Sequence, residues 1–251
     1  MQDRQVALVT GANQGIGFQI AKDLVVHDFT VLVGSRDLGR GETAAKQIGE
    51  HTVAIQLDVT DHASIHAAAE RIRKEFGRLD VLINNAAISN TGRLPGEAVE
   101  EYALRNRPST VSLDEVRAIW ETNVFGVLAV YQAMLPLLRE APSARIVNVS
   151  SGAGSLTRNA DPAFENRKIF GVGYPASKTA LNAITLAIAI ELEPTGIKVN
   201  ACSPGFIKTN LNGFQGTGTL EEGALEPVRL AMLGPDGPTG KFSRTGAVIP
   251  W

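Results

Sequence analysis

Two rhythms of apolar and polar residues alternate along this chain. Short apolar runs rich in β-branched residues, at Val6–Val9, Thr30–Val33, Val53–Leu57, Val81–Ile83, Arg145–Val149 and Lys198–Ala201, are predicted strands. Their hydrophobicity is continuous rather than confined to every second residue, the pattern of strands covered on both faces of a parallel sheet. Between them, apolar residues recur at helical spacing near Gly15–His27, Gly39–Gly49, Ala63–Phe76, Leu113–Arg139 and Tyr174–Glu193. Asp61 and Asp114 stand where a helix takes an N-cap or a first-turn acid. Strand alternating with helix predicts an α/β fold, a doubly wound and mostly parallel sheet with helices on both faces. A chain of 251 residues suits a single such domain over 1–251.

Three stretches break the rhythm. Thr91–Thr110 is rich in Gly, Pro, Arg and Glu; Ser155–Gly173 separates a strand end from the next helix; Asn210–Gly240 is rich in Gly and Pro around a short helical pattern, Leu220–Leu233. All three follow strands, and open α/β sheets bind ligands beyond the carboxyl ends of their strands. They are expected to wall a site, with a substrate loop or lid around 205–240. The alternative for the first stretch is a tolerated surface insertion.

Charge narrows the partners. With 24 Lys and Arg against 26 Asp and Glu, the chain has no basic footprint for nucleic acid or an anionic membrane. One cysteine, Cys202, excludes an intramolecular disulfide and a cysteine-built metal site, and it ends an apolar run as a small core residue would. His62 and His66 are four apart with no third ligand near them, so no metal site is expected. The chain enters a strand at Gln5 without a charged leader, and its longest apolar stretch, Leu181–Ile190, is too short to span a bilayer. A cytoplasmic protein is the expectation.

The first predicted strand runs into Thr10-Gly11-Ala12-Asn13-Gln14-Gly15-Ile16-Gly17 and then a helix. Glycines there allow a tight turn and close approach to a pyrophosphate, whose charge meets free N–H groups at the helix start. The spacing G-x-x-x-G-x-G differs from the commoner G-x-G-x-x-G. The second strand ends Val33-Gly34-Ser35-Arg36-Asp37. An NAD site usually places an acid near this point for the ribose hydroxyls. Here Ser35 leaves room for a 2′-phosphate and Arg36 offers a fork of donors to it, with Arg40 a second contact; NADP is the expected cofactor. Asp37 fits better as the start of the next helix.

Tyr174 lies four residues before Lys178, so phenol and ammonium share one helical face. A neighbouring cation favours the phenolate and should lower a pKa ordinarily near ~10. Such a tyrosine can exchange a proton with a substrate oxygen near neutral pH.

Taken in order, Thr10–Gly17, Leu57-Asp58-Val59, Asn84-Asn85-Ala86-Ala87, Asn123, Asn148-Val149-Ser150-Ser151, Tyr174–Lys178 and Pro204-Gly205-Phe206-Ile207-Lys208-Thr209 resemble the short-chain dehydrogenase/reductase family over nearly the whole chain. Asn13-Gln14-Gly15 and Ser35-Arg36-Asp37 look like its NADPH-dependent carbonyl reductases. The resemblance implies a Rossmann-type sheet and reversible hydride transfer between NADPH and a ketone or aldehyde of a small molecule. It implies a catalytic set of Asn123, Ser151, Tyr174 and Lys178. Tyr174 gives the proton, and Lys178 stabilises the phenolate and bonds the nicotinamide ribose. Ser151, the second serine of its pair, donates to the substrate oxygen, while Asn123 bends its helix and holds a water linking Lys178 to solvent. Cofactor contacts would come from Gly11, Asn13, Gln14, Gly15, Ile16 and Gly17, from Ser35 and Arg36, and from Asp58 and Val59 beside the adenine. Asn85 would lie along the adenosine ribose. Pro204, Gly205, Ile207 and Thr209 form the segment that holds the carboxamide.

The chain departs from the family pattern in three places, one of them an interval from Asn85 to Asn123 that looks long. Ala87 replaces a usual glycine, a mild change. The twenty-three residues from Ser151 to Tyr174 exceed the usual interval, so those near Arg158–Phe170 should bulge outward. Larger insertions here cover the oligomerisation face in some carbonyl reductases, which leaves dimer, tetramer and monomer open. Two rival functions stand beside carbonyl reduction. A non-catalytic NADP-binding redox sensor would tend to lack the tyrosine or lysine. An acyl-carrier-protein ketoreductase would need a basic pocket mouth, for which Arg93, Arg105, Arg107, Arg158, Arg167 and Lys168 are candidates, diluted by Glu97, Glu100, Glu101 and Glu165. Phe206, Leu211, Phe214, Leu220 and Leu225 suggest an apolar pocket.

Overall fold

The computed structural model describes residues 4–251. Eight strands form one sheet: β1 (Val6–Thr10), β2 (Thr30–Ser35), β3 (Thr52–Gln56), β4 (Val81–Asn84), β5 (Arg145–Val149), β6 (Lys198–Cys202), β7 (Lys241–Arg244) and β8 (Ala247–Val248). Their order is β3-β2-β1-β4-β5-β6-β7-β8. All neighbours are parallel except β8, which returns antiparallel along β7. The order reverses between β1 and β4, the switch point at which open α/β sheets leave a crevice. This is the doubly wound, mostly parallel sheet that the sequence predicts.

Nine α-helices occur among the described residues: α1 (Gly15–Val26), α2 (Leu38–Ile48), α3 (His62–Phe76), α4 (Val99–Arg105), α5 (Leu113–Trp120), α6 (Gly126–Arg139), α7 (Leu156–Ala160), α8 (Tyr174–Leu192) and α9 (Leu220–Ala231). Successive strand residues point to opposite faces, and each face has its own core. Ala7 and Val9, with Val31 and Val33, join Ile20 and Leu24 of α1, Ala44 of α2 and Val228 of α9. Val6 and Leu8, with Leu32 and Leu82, join Ile72 of α3, Leu137 of α6 and Leu192 of α8. Burial on both faces is why β1, β2, β4, β5 and β6 read as unbroken apolar runs.

Helix starts follow local chemistry. Asp37 caps α2 by accepting from the Arg40 N–H at 3.0 Å, and Asp61 caps α3 through the Ala63 N–H at 2.9 Å. Asp114 lies in the first turn of α5, behind Ser112. The helical pattern Leu113–Arg139 is α5 and α6 joined by a π-helical turn, Glu121–Phe125. By length and composition this run passes for a membrane span, yet half of its apolar window is buried within the fold. The first two of the three irregular stretches contain α4 and α7, which composition concealed.

Candidate active site

The site is built on the carboxyl ends of β1, β2, β4, β5 and β6. At β1, the Thr10 hydroxyl accepts from the Asn85 and Ala86 N–H groups, both at 3.0 Å, and the Asn85 carboxamide donates back to the Thr10 carbonyl at 2.8 Å. This stitches the glycine turn to the loop after β4. The fit leaves no room for side chains: a Cβ on Gly11, whose φ is +64°, would lie 3.0 Å from Ala86 Cα, and one on Gly17 would lie 2.4 Å from Asn85 Nδ2. Gln14 precedes α1 without capping it, so the first N–H groups of that helix receive no side-chain oxygen from it. Such a bare glycine cradle against a helix start is what a pyrophosphate requires.

At β2, Ser35 is buried and donates to the Asp37 carbonyl at 2.7 Å. Arg36 is exposed and makes no ion pair or hydrogen bond among the described residues. Asp37, the residue after it, lines an open cavity of about 480 Å³ together with Asn13, Gln14, Arg40 and other residues of α2. After β3, Asp58 accepts from the Thr60 N–H and hydroxyl at 2.9 and 2.7 Å. Val59 follows it and packs under Gly126, where a Cβ would come within 2.6 Å of the Val59 carbonyl oxygen. Small residues line the turn, and the Arg36 guanidinium beside it makes no ion pair or hydrogen bond among the described residues.

At β5 the two serines separate. Ser150 is buried, and its hydroxyl donates to Asn182 of α8 at 2.6 Å. Ser151 is only partly buried and starts the turn Gly152–Gly154, its Oγ accepting from the Ala153 N–H at 3.2 Å. That turn lies hard against α8, since a Cβ on Gly154 would sit 2.7 Å from the Lys178 carbonyl carbon. Ser151 thereby reaches Tyr174, the first residue of α8, across twenty-three residues of chain. The intervening residues form α7 and a 3-10 turn, Glu165–Ile169.

The electrostatics of Tyr174 differ from the sequence expectation. Burial pushes its phenol above the ordinary range, and the contact with the Ser151 side chain opposes that shift. Lys178 lies over the ring, 5.7 Å from its centroid, and donates to the Val149 carbonyl at 2.8 Å. Burial pulls the Lys178 ammonium down to about 8. Spacing gives the shared face correctly, but the depth of the pair decides the sign.

Asn123 sits in the π turn, wholly buried. Its carboxamide holds both backbone groups of Ile88, accepting from the N–H at 2.9 Å and donating to the carbonyl at 2.8 Å, and also donates to the Ser177 hydroxyl at 3.0 Å. Ser177 donates in turn to the Tyr174 carbonyl at 2.7 Å. The expected bend at Asn123 is this π turn.

After β6, Pro204 and Gly205 lead away from the sheet, Ile207 is buried against Gly223 of α9, and Thr209 Cγ2 stands 3.8 Å from a Cβ position on Gly15. This segment therefore returns to the glycine turn. Sequence reasoning missed Thr10, Ser177 and Ser203 as builders of the site. Ser203 accepts from the Gly152 N–H at 3.0 Å and steadies the Ser151 turn. Only Thr10, sitting at the strand end beside the glycines, carried a signal that marked it.

The family model for short chain dehydrogenases matches residues 5–218. The chain is 38% identical over 240 residues to the short-chain dehydrogenase anuI of Penicillium roqueforti, covering 92% of this chain and 90% of that one. Its structure superposes on salutaridine reductase from Papaver somniferum with a TM-score of 0.80 and 31% identity, over 96% of this chain and 99% of that one. The 3-ketoacyl-(acyl-carrier-protein) reductase of Brucella melitensis, complexed with NADH, gives 0.77 and 27% identity over 96% and 95%. A match spanning most of the chain, joined to the serine, tyrosine and lysine assembled at the strand ends, places this protein in the short-chain dehydrogenase/reductase family.

Proposed function

We propose that this protein reduces a ketone or aldehyde of a small molecule to the alcohol with NADPH, and catalyses the reverse reaction. The observation that carries the reading is the convergence of Ser151, Tyr174 and Lys178 on one point beside the glycine cradle. Bound there, NADPH would supply the hydride to the carbonyl carbon. A phenol held above its ordinary range stays protonated at neutral pH, so Tyr174 is suited to donate its proton to the developing alkoxide. Ser151 donates a hydrogen bond to the same oxygen, which strengthens as negative charge develops. Lys178 supports the phenolate left behind and bonds the nicotinamide ribose. Asn123 fixes the start of α8, and with it Tyr174, through Ser177.

The preference for NADP rests on Ser35 and the unpaired Arg36 at the end of β2. Gly11, Asn13, Gln14, Gly15, Ile16 and Gly17 would hold the pyrophosphate and Arg36 the 2′-phosphate. Asp58, Val59 and Asn85 would flank the adenosine, with Pro204, Gly205, Ile207 and Thr209 at the carboxamide. A free small molecule is favoured over a carrier-bound one because the basic residues near the insertions are largely engaged. Arg105 pairs with Glu97 and Lys168 with Glu100, Arg167 donates to the Asn159 carbonyl, and Arg158 lies over the Phe164 ring. The test is oxidation of NADPH, beside NADH, against a panel of aromatic, aliphatic and quinone carbonyls. Turnover with NADPH far above NADH is expected; a preference for NADH would overturn the reading of β2, and NADPH binding without turnover across the panel would favour a sensor.

A further inference from the structure

The segment after Gly205 folds on itself. Thr217 and Gly218 donate backbone N–H bonds to the Phe206 carbonyl at 2.8 and 3.0 Å, and Lys208 donates to Gly218 at 2.9 Å. Gly216 lies so near Ile207 that a Cβ would come within 2.2 Å of its carbonyl carbon. These contacts make the loop a compact unit packed on itself. Phe214, within it, has φ of 61°, a left-handed conformation that strains a bulky residue.

Two side chains tie the loop to the opposite wall. The Ser89 hydroxyl donates to the Leu211 carbonyl at 2.6 Å. The Gln215 carboxamide makes a reciprocal pair with the opposite wall, donating to the Glu97 carbonyl at 2.9 Å and accepting from the Val99 N–H at 3.0 Å. Val99 opens α4, and Ala98 before it has no side-chain acceptor, so that N–H has no partner within its own helix. Gln215 satisfies it from 116 residues away. One wall follows β4 and the other follows β6, while β5, which leads to Ser151, lies between them in the sheet. The bridge therefore spans the end of β5.

We propose that Gln215 is a positioning residue that fastens this loop across the site, so that its two hydrogen bonds set how long the cofactor stays enclosed. The inference rests on the assignment of Ile207 and Thr209 to the nicotinamide end. Gln215 is exposed, and two bonds competing with water make a fastener that opens readily.

The test is Gln215→Ala, with Gln215→Asn beside it. Asn keeps the carboxamide but is one methylene short of bridging, so both variants are expected to behave alike. With the overall unfolding midpoint unchanged, backbone hydrogen exchange at Val99 is expected to rise about tenfold. NADPH dissociation, followed by stopped-flow fluorescence, is expected to quicken by a similar factor. Unchanged exchange at Val99 would overturn the fastener, and faster exchange with unchanged NADPH release would overturn its control of the site. Wild-type protein that binds no NADPH would instead overturn both the cofactor reading and the proposed control of release, with Val99 exchange still deciding whether Gln215 holds the loop.

Discussion

Ser150 and Ser151 are neighbours in sequence with opposite environments, and this contrast carries much of the site's logic. On the proposed mechanism Ser151→Ala removes the donor to the reacting oxygen, and it is expected to lower kcat/KM about 10²–10³-fold with little loss of stability. Ser150→Ala leaves the buried Asn182 carboxamide oxygen without its donor and is expected to cost roughly 1–3 kcal/mol, read as a lower denaturation midpoint. Equal kinetic losses in both variants would contradict the division. Lys178 adds a pH dependence whose sign follows from burial. Its folded pKa is depressed to about 8, so the ammonium is present below that pH and lost above it. The same depression makes its burial oppose folding below about pH 8, an effect that fades as pH rises toward the unfolded value. Tyr174 is shifted upward, so it stays protonated over this range. Carbonyl reduction is expected to fall above about pH 8 through Lys178; a profile flat to pH 10 would contradict that role.

At the scale of elements, the π turn between α5 and α6 orders the loop after β4 and the start of α8 together. Asn123→Ala would leave the Ile88 backbone groups and the Ser177 hydroxyl without their buried partner. A loss of roughly 2–4 kcal/mol is expected in denaturant unfolding, with a lower kcat as Tyr174 loses its support. Five inner strands, β1, β2, β4, β5 and β6, were legible as apolar runs because both their faces are buried, and β3 at the sheet edge was legible from its β-branched residues although it is mostly half-buried. β7, Lys-Phe-Ser-Arg, was not, since Phe242 is its one apolar residue, and β8 is two exposed residues at the edge. The helical pattern 113–139 hid the π turn because one extra residue barely disturbs a 3.6-residue period. The meeting of Ser151, Tyr174 and Lys178 could be anticipated from their motifs, because each stands at a strand end or on the helix face that packs against it. Ser177 and Ser203 could not be read as builders, since their contacts exist only once distant strands and helices meet. The sign of the Tyr174 shift failed for the same reason: sequence shows a neighbouring cation but not the depth at which the pair lies.

Across the whole molecule, parallel strands deliver the glycine turn, Arg36, the Ser151 turn and the loop after Gly205 to one edge of the sheet. Binding energy gathered there should appear as stability of the entire fold. NADPH at 100 times its Kd is expected to stabilise the protein by about 2.7 kcal/mol, with NADH giving less at equal concentration. Arg36→Leu is expected to erase most of that difference in a thermal-shift titration; an unaltered preference would remove Arg36 from the phosphate site. The most direct test of carbonyl reduction through Tyr174 is to measure NADPH turnover and NADPH affinity together in Tyr174→Phe, using the best carbonyl from the panel. A fall in kcat of about 10²–10⁴-fold with Kd for NADPH changed by less than about threefold is expected; turnover that survives in the variant would contradict the mechanism.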